Sequence, residues 1–472
     1  MKRLDRAMRG ADMSRMLRLL PRSLRRAATC VAALAGLAGC SANPTPPPPV
    51  PKPVVVAPKV TPAPKPWVDP RHPVMLGIDV LEAEGFGPLK GKTVGLLTHP
   101  AGVDMHGEST IDILLHAPGV HLAALYAPEH GIRGEFPAGL NFPDHVDART
   151  GLPVHSLYNG IIYDGIGTGK PTKAALKGID VMVIDLQDVG VRSYTFVSAM
   201  RMCMEGCFEN GVEVVVLDRP NPLGGLKVDG PPLDPQLVSY VGTFRVPYVH
   251  GLTMGELARM AKQAPDILKL PDAVRMNGKL TVIPMRGWRR SMRWPETGLT
   301  WVPTSQGVPT YSAAEGLAML GLGTQIGGFK SGVGTDYPFR GISYHGVRFE
   351  VLERELKALN LPGIGFRRVS VPDLKTGKAD LGLYVEITDW DEWRPTELGI
   401  YLIKMACAFD PRTFTTATKS ELTVFRKCLG STAFYNDVVA HGSKVDVAAY
   451  LKDWQARNAV YQQLSRKYWL YY

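Results

Sequence analysis

Four ionisable residues and two glycines crowd into the stretch LYAPEHGIRGE (125–135), where Glu129, His130, Arg133 and Glu135 follow directly on the apolar run VHLAALYA. A carboxyl group beside an imidazole and a guanidinium is a set able to move protons and to hold a polar ligand. If the apolar run is a core strand, this stretch is its C-terminal exit, the edge at which open α/β sheets bind ligands. Three further apolar runs end in similar punctuation: THPAGVD, DLQDVGVRSY and DRPNPLGG. All exits of a parallel sheet lie on one edge. Glu129, Asp185, Asp188, Arg192 and Asp218, scattered along the chain, are therefore expected to converge on one crevice.

The elements that must position them follow from the patterning. KTVGLLTH, VHLAALYA, IDVMVIDL and VEVVVLD read as buried strands. Between them STIDILLHA reads as a helix with Ser109 as N-cap, and YTFVSAMRMCMEGCFENG as a helix closed by an Asn-Gly C-cap signal. Strands alternating with helices predict a parallel, Rossmann-like sheet. The periodicity weakens over 250–330, then GLYVEITDW reads as a strand, TELGIYLIKMACAF as a helix, and the tail VAAYLKDWQARNAVYQQLSRKYWLYY as strongly amphipathic. About 400 residues follow Pro70, more than one core usually organises. The expectation is a Rossmann-like domain over 71–290 and a smaller α/β domain over 291–472, with a cleft between them.

The N-terminal segment is expected to be removed or to serve as a tether. Nine basic and two acidic residues occupy positions 1–40, where the apolar run AATCVAALAGLAG ends in Leu-Ala-Gly-Cys40. The run is too short for a permanent membrane span and resembles a bacterial lipobox, which implies a signal peptide over 1–39, cleavage before Cys40 and lipidation of its thiol. Residues 41–70 hold 12 prolines and favour extended polyproline II. Ser41 is compatible with sorting to the outer membrane, so the expected location is periplasmic and lipid-anchored, with the membrane met only through the anchor. Of the whole-chain charge of +10 only three units belong to the part beyond the leader, which removes the case for a nucleic-acid binder.

Two motifs are decoys. DGIGTGKPT (164–172) has Asp164 where a Walker loop needs glycine and Pro171 where it needs Ser or Thr. No G-x-G-x-x-G follows the first strand, so no dinucleotide cofactor is expected. His130, His145 and His155 lie near Asp144 and Asp147 at spacings that match no zinc motif, and Cys203 and Cys207 lack further ligands, so no metal is expected either.

Seven ordered blocks resemble successive signatures of the exo-β-N-acetylmuramidase (NamZ-like) family: GKTVGLLTHPAGVD, APEHGIRGE, TGLPVHSLY, KGIDVMVIDLQDVGVRSYTF, LDRPNPLGG, VPYVHGLTMGELA and LSRKYWLYY. The resemblance covers nearly all of the chain after Leu76 and implies exo-acting release of N-acetylmuramic acid from non-reducing ends of peptidoglycan chains, with peptidoglycan fragments or muropeptide sugars as partners. It implies Glu129 and Tyr194 as catalytic residues, and the chain's own pattern agrees for Glu129, since glycosidic cleavage needs a carboxyl group to protonate the leaving oxygen. The second player stays open between the substrate's acetamido group, oriented by Asp185 or Asp188, and Tyr194 as nucleophile or charge stabiliser. His130, Arg192, Asp218, Asn221 and His250 join them as candidate sugar-binding residues.

The chain also departs from the family pattern. The family's Pro-Ser-Pro-Asn reads Pro303-Thr304-Ser305-Gln306, its glutamate before Gly-Thr is Leu322, its arginine in Gly-Arg-Gly-Thr is Val333, and an asparagine of the first loop is His99. Lys330, nearby in the same loop, is a candidate substitute charge for the missing arginine. The expectation is a glycoside hydrolase of peptidoglycan sugars with Glu129 as acid/base. The alternative is a cell-wall-sugar-binding lipoprotein that is non-catalytic or of altered specificity.

Overall fold

A computed structural model describes residues 74–160, 169–372 and 379–472, with only the backbone given at 371, 372, 379 and 380. The expected leader, Cys40, the proline-rich tether and most of the DGIGTGKPT loop lie outside the described residues. Strands β1 (Thr93–Thr98), β2 (His121–Ala127), β3 (His145–Val146), β4 (Pro153–Ser156), β5 (Val181–Asp185), β6 (Glu213–Leu217) and β7 (Leu280–Ile283) form one sheet in the order β3-β4-β2-β1-β5-β6-β7. Every neighbouring pair is parallel except β3 with β4. The order reverses between β1 and β5, which places the topological switch, and hence the crevice, between their C-terminal ends.

Burial on both faces explains why these strands read as continuous apolar runs rather than alternating ones. Val181 to Ile184 are all fully buried. One face packs helix α3 (Phe196–Glu209), the other α1 (Gly77–Ala83) and α2 (Thr110–His116). Ser109 caps α2 by accepting a hydrogen bond from the Ile111 amide, as the sequence predicts. At the other end of α3, Asn210 is the C-cap and Gly211 adopts a left-handed φ of 72°, which its Asn-Gly signal foretold.

The C-terminal half builds a second, antiparallel sheet. Strands β8 (Phe329–Lys330), β9 (Gly341–Tyr344), β10 (Ile364–Pro372) and β11 (Ala379–Ile387) run in the order β10-β11-β9-β8, and the helix Glu397–Phe409 packs over the same core. That core includes Val189, Val191, Leu223 and Tyr248 from the loops that leave the first sheet. The two sheets are thus joined by a buried apolar contact made by the DVGVR and NPLGG segments. The terminal helix Val447–Ser465 corrects one expectation. It buries Val447, Trp454, Asn458 and Ser465 while Val460 and Leu464 remain largely exposed, so its faces do not segregate by polarity. The Cys203, Cys207, Cys407 and Cys428 thiols are buried and free.

Candidate active site

Glu129 leaves β2 two residues past its end, only 8% exposed. One carboxylate oxygen accepts the Gly139 amide at 2.8 Å and the other the Thr195 hydroxyl at 2.6 Å. Thr195 is the N-cap residue of α3, yet its hydroxyl bonds no amide of its own helix. A capping hydroxyl is worth about 1 kcal/mol to a helix, and here it is diverted to hold Glu129. The Tyr158 hydroxyl faces the same carboxylate; burial, and then the Glu129 charge, push its pKa up. Neither Thr195 nor Tyr158 was singled out from the sequence. Only the missing cap, visible once α3 is placed, marks Thr195.

The loop after Glu129 is held by backbone that few residue types tolerate. His130 has a left-handed φ of 75°, rare for a residue with a side chain. Its Nδ1 donates to the Phe136 carbonyl at 3.0 Å while its carbonyl accepts the Phe136 amide. Gly131 follows at φ 82°, where a Cβ would lie 2.6 Å from the Glu135 carboxyl. Arg133 makes a two-pronged bond to Asp147 at 3.0 and 2.7 Å, which holds that carboxyl down at a pKa of about 2. Arg133 is thus paired with Asp147 rather than with Glu129. His145 lies 4.0 Å from Glu135, and His155 bonds Asp144 at 2.7 Å.

Tyr194 is partly buried, its ring edge-on to Phe196, and its hydroxyl donates to Thr304 at 2.8 Å. Burial pushes its pKa up, and the charges of Asp188 and Glu129 add to that effect. The segment that departs most from the family pattern thus touches the site. Gln306 of the same segment reaches the Gly134 carbonyl at 3.5 Å. His99, at the exit of β1, accepts the Gln187 amide on Nε2, so its proton sits on Nδ1, and burial drives its pKa well below the ordinary value.

The remaining candidates divide sharply. Asp185 accepts both prongs of Arg219 at 2.5 and 2.8 Å and the Thr110 hydroxyl at 2.5 Å. Asp218 accepts the Tyr471 and Thr253 hydroxyls and the Gly255 amide, and burial raises its pKa to about 6. Asn221 donates to the Leu252 carbonyl and accepts the Leu223 amide. Arg192, expected at the crevice, points its guanidinium at the carbonyls of Pro231, Val246, Cys428 and Leu429, tying the two halves together. Apart from the Arg192 Nε, the fold already occupies the polar groups of these four residues, and a sugar would have to displace those bonds. Asp188 and His250 differ. Asp188 Oδ2 accepts the Gly190 amide at 2.8 Å and lies 3.3 Å from His250 Nε2, while Oδ1 is buried without a hydrogen-bond partner among the described residues. Val333 is half-buried, Leu322 buried, and Lys330 exposed on β8.

Two family models cover the chain in succession. Residues 94–312 match the N-terminal model of exo-beta-N-acetylmuramidase NamZ and residues 318–471 the C-terminal one. The chain belongs to the NamZ family. It is 38% identical over 346 residues to the peptidoglycan beta-N-acetylmuramidase NamZ of Bacillus subtilis, spanning 72% of this chain and 79% of that one. Two crystal structures of DUF1343 family proteins from Bacteroides fragilis share the NamZ-family fold seen here. One has a TM-score of 0.75 and 37% identity, covering 85% of this chain and all of that one. The other has a TM-score of 0.61 and 25% identity, covering 84% of this chain and 99% of that one.

Proposed function

We propose that this protein is a peptidoglycan glycoside hydrolase that releases N-acetylmuramic acid from non-reducing chain ends, with Glu129 as the acid/base. The observation that carries the proposal is the placement of Glu129: a buried carboxyl at the exit of β2, gripped by Thr195 and Gly139, beside Tyr158. Family membership supplies the substrate class. Thr195 suits the role because a hydroxyl donates to the carboxylate and accepts from the carboxylic acid, so one partner serves both states of the catalytic cycle. Burial keeps the Tyr194 hydroxyl protonated, which favours a hydrogen-bonding role at the anomeric centre over a nucleophilic one. The protein would act from the periplasmic side of the outer membrane, tethered through Cys40.

A second reading keeps the cleft and changes its specificity. It is favoured by the apolar Leu322 and Val333 at positions where the family pattern has a glutamate and an arginine. Release of free sugar from a chromogenic N-acetylmuramide, set beside the matched glucosaminide, separates the two. Turnover of the muramide supports the first reading. Binding without turnover, or preference for the glucosaminide, supports the second.

A further inference from the structure

Two acids at the exit of β5 are in reach of a role in the crevice, and their surroundings distinguish them. Asp185 has both oxygens taken by Arg219 and Thr110. Asp188 is held on one oxygen only. Its Oδ2 receives the Gly190 amide, at a glycine whose φ of 82° lets the chain turn there. His250 sits on the same side: its Nδ1 accepts the Leu252 amide, so its proton lies on Nε2, 3.3 Å from Asp188 Oδ2. That Nε2 faces the Asp188 carboxyl without completing a hydrogen bond among the described residues, close enough that a small shift of either side chain would let it orient the carboxyl. The other oxygen, Oδ1, is buried and unpartnered among the described residues, as is the neighbouring Gln187 Oε1. A buried carboxylate oxygen without a donor is costly, so a water, an ion or a ligand must supply the missing hydrogen, and in a ligand-binding crevice a substrate N–H suits the place. Glu129 is bound by Thr195, the residue after Tyr194, and Asp188 begins the loop that ends at Tyr194, so both acids lie at the one sheet edge.

We propose that Asp188 is the second catalytic carboxylate, its Oδ1 accepting the N–H of the substrate's 2-acetamido group. The inference rests on the reading of Glu129 given above. With the N–H held, the acetamido carbonyl oxygen attacks the anomeric carbon as the glycosidic C–O bond breaks, and Glu129 gives its proton to the departing oxygen. The bicyclic oxazolinium ion that results carries its positive charge beside the Asp188 carboxylate. Water then adds to the anomeric carbon, its proton returns to Glu129, and the acetamide re-forms. His250 is a positioning residue for Asp188.

One experiment needs no variant. Para-nitrophenyl N-acetyl-β-muramide and its mono-, di- and trifluoroacetyl analogues are hydrolysed by the full chain, and the first anomer formed is read by NMR. Fluorine withdraws electrons from the attacking carbonyl, so kcat/KM is expected to fall steeply with each fluorine and the product to retain its β configuration. Asp188→Asn is expected to lower kcat by about 10²–10³-fold, the usual worth of one electrostatic partner in the transition state, with KM little changed. His250→Gln, whose amide can still donate, is expected to retain more activity than His250→Leu. A flat response to fluorine, or an inverted product, overturns the role of Asp188 and leaves Glu129 untouched. Full turnover by Glu129→Gln removes the acid/base reading, and with it this inference.

Discussion

At the exits of β5 and β6, Asp185 and Asp218 meet every hydrogen bond they need within the chain, from Arg219, Thr110, Tyr471, Thr253 and Gly255. On the same sheet edge, Glu129 is held by the Thr195 hydroxyl and the Gly139 amide, and Asp188 has one oxygen without a partner among the described residues. The acids are of one chemical kind and at one depth. What differs is how much of their hydrogen-bonding capacity the fold takes up, most for Asp185 and Asp218, less for Glu129 and least for Asp188. Acids of the first kind should govern stability, and acids of the second kind turnover.

The largest effect should come from Glu129→Gln, which keeps shape but cannot act as the acid. Turnover should fall by about 10²–10⁴-fold while the melting temperature moves little; a variant that unfolds instead would place Glu129 with the structural acids. Arg219→Met should do the reverse. It leaves Asp185 buried and unpaired, a loss of about 3–5 kcal/mol, measurable by urea denaturation. A change within ~0.5 kcal/mol would mean that the pair is not holding the edge together.

A smaller effect should appear with pH. Asp218 titrates at about 6 in the folded chain, raised first of all by its burial, against 3.8 for the free group. The folded state then binds this proton more readily than the unfolded one. The stabilisation is fully present below pH 3.8 and is lost as pH rises through about 6. Every tenfold gain in proton affinity on folding is worth about 1.4 kcal/mol, so this group should make the chain less stable at neutral pH than near pH 5. Asp218→Asn should flatten that slope, and an unchanged slope would assign it to other groups. The smallest effect is expected from Tyr194→Phe. One neutral hydrogen bond is worth about 1 kcal/mol, near fivefold in rate. A loss beyond about 10⁴-fold would instead make Tyr194 the nucleophile.

The contrast also explains what could be read from the sequence. The strands and the shared edge were legible because buried parallel strands are unbroken apolar runs with polar exits. That reading correctly gathered Glu129, Asp185, Asp188 and Asp218 at one edge. It could not tell which of them were spent, because their partners are distant: Tyr471 lies 253 residues beyond Asp218, and the carbonyls that hold Arg192 include Leu429. Arg192 looks like a ligand-binding arginine until the second half of the chain is folded against it. Thr195 was hidden for the opposite reason, since a threonine at a helix start reads as a cap. The tail helix misled because its apolar residues follow helical spacing without all facing the core.

The most direct test is a time course of free N-acetylmuramic acid released from the disaccharide N-acetylmuramyl-β-1,4-N-acetylglucosamine, run in parallel for the unaltered chain and Glu129→Gln. The account predicts steady release by the unaltered chain and a loss of about 10²–10⁴-fold in a variant that melts at the same temperature. Equal rates from the two proteins, or no release from either, would contradict it.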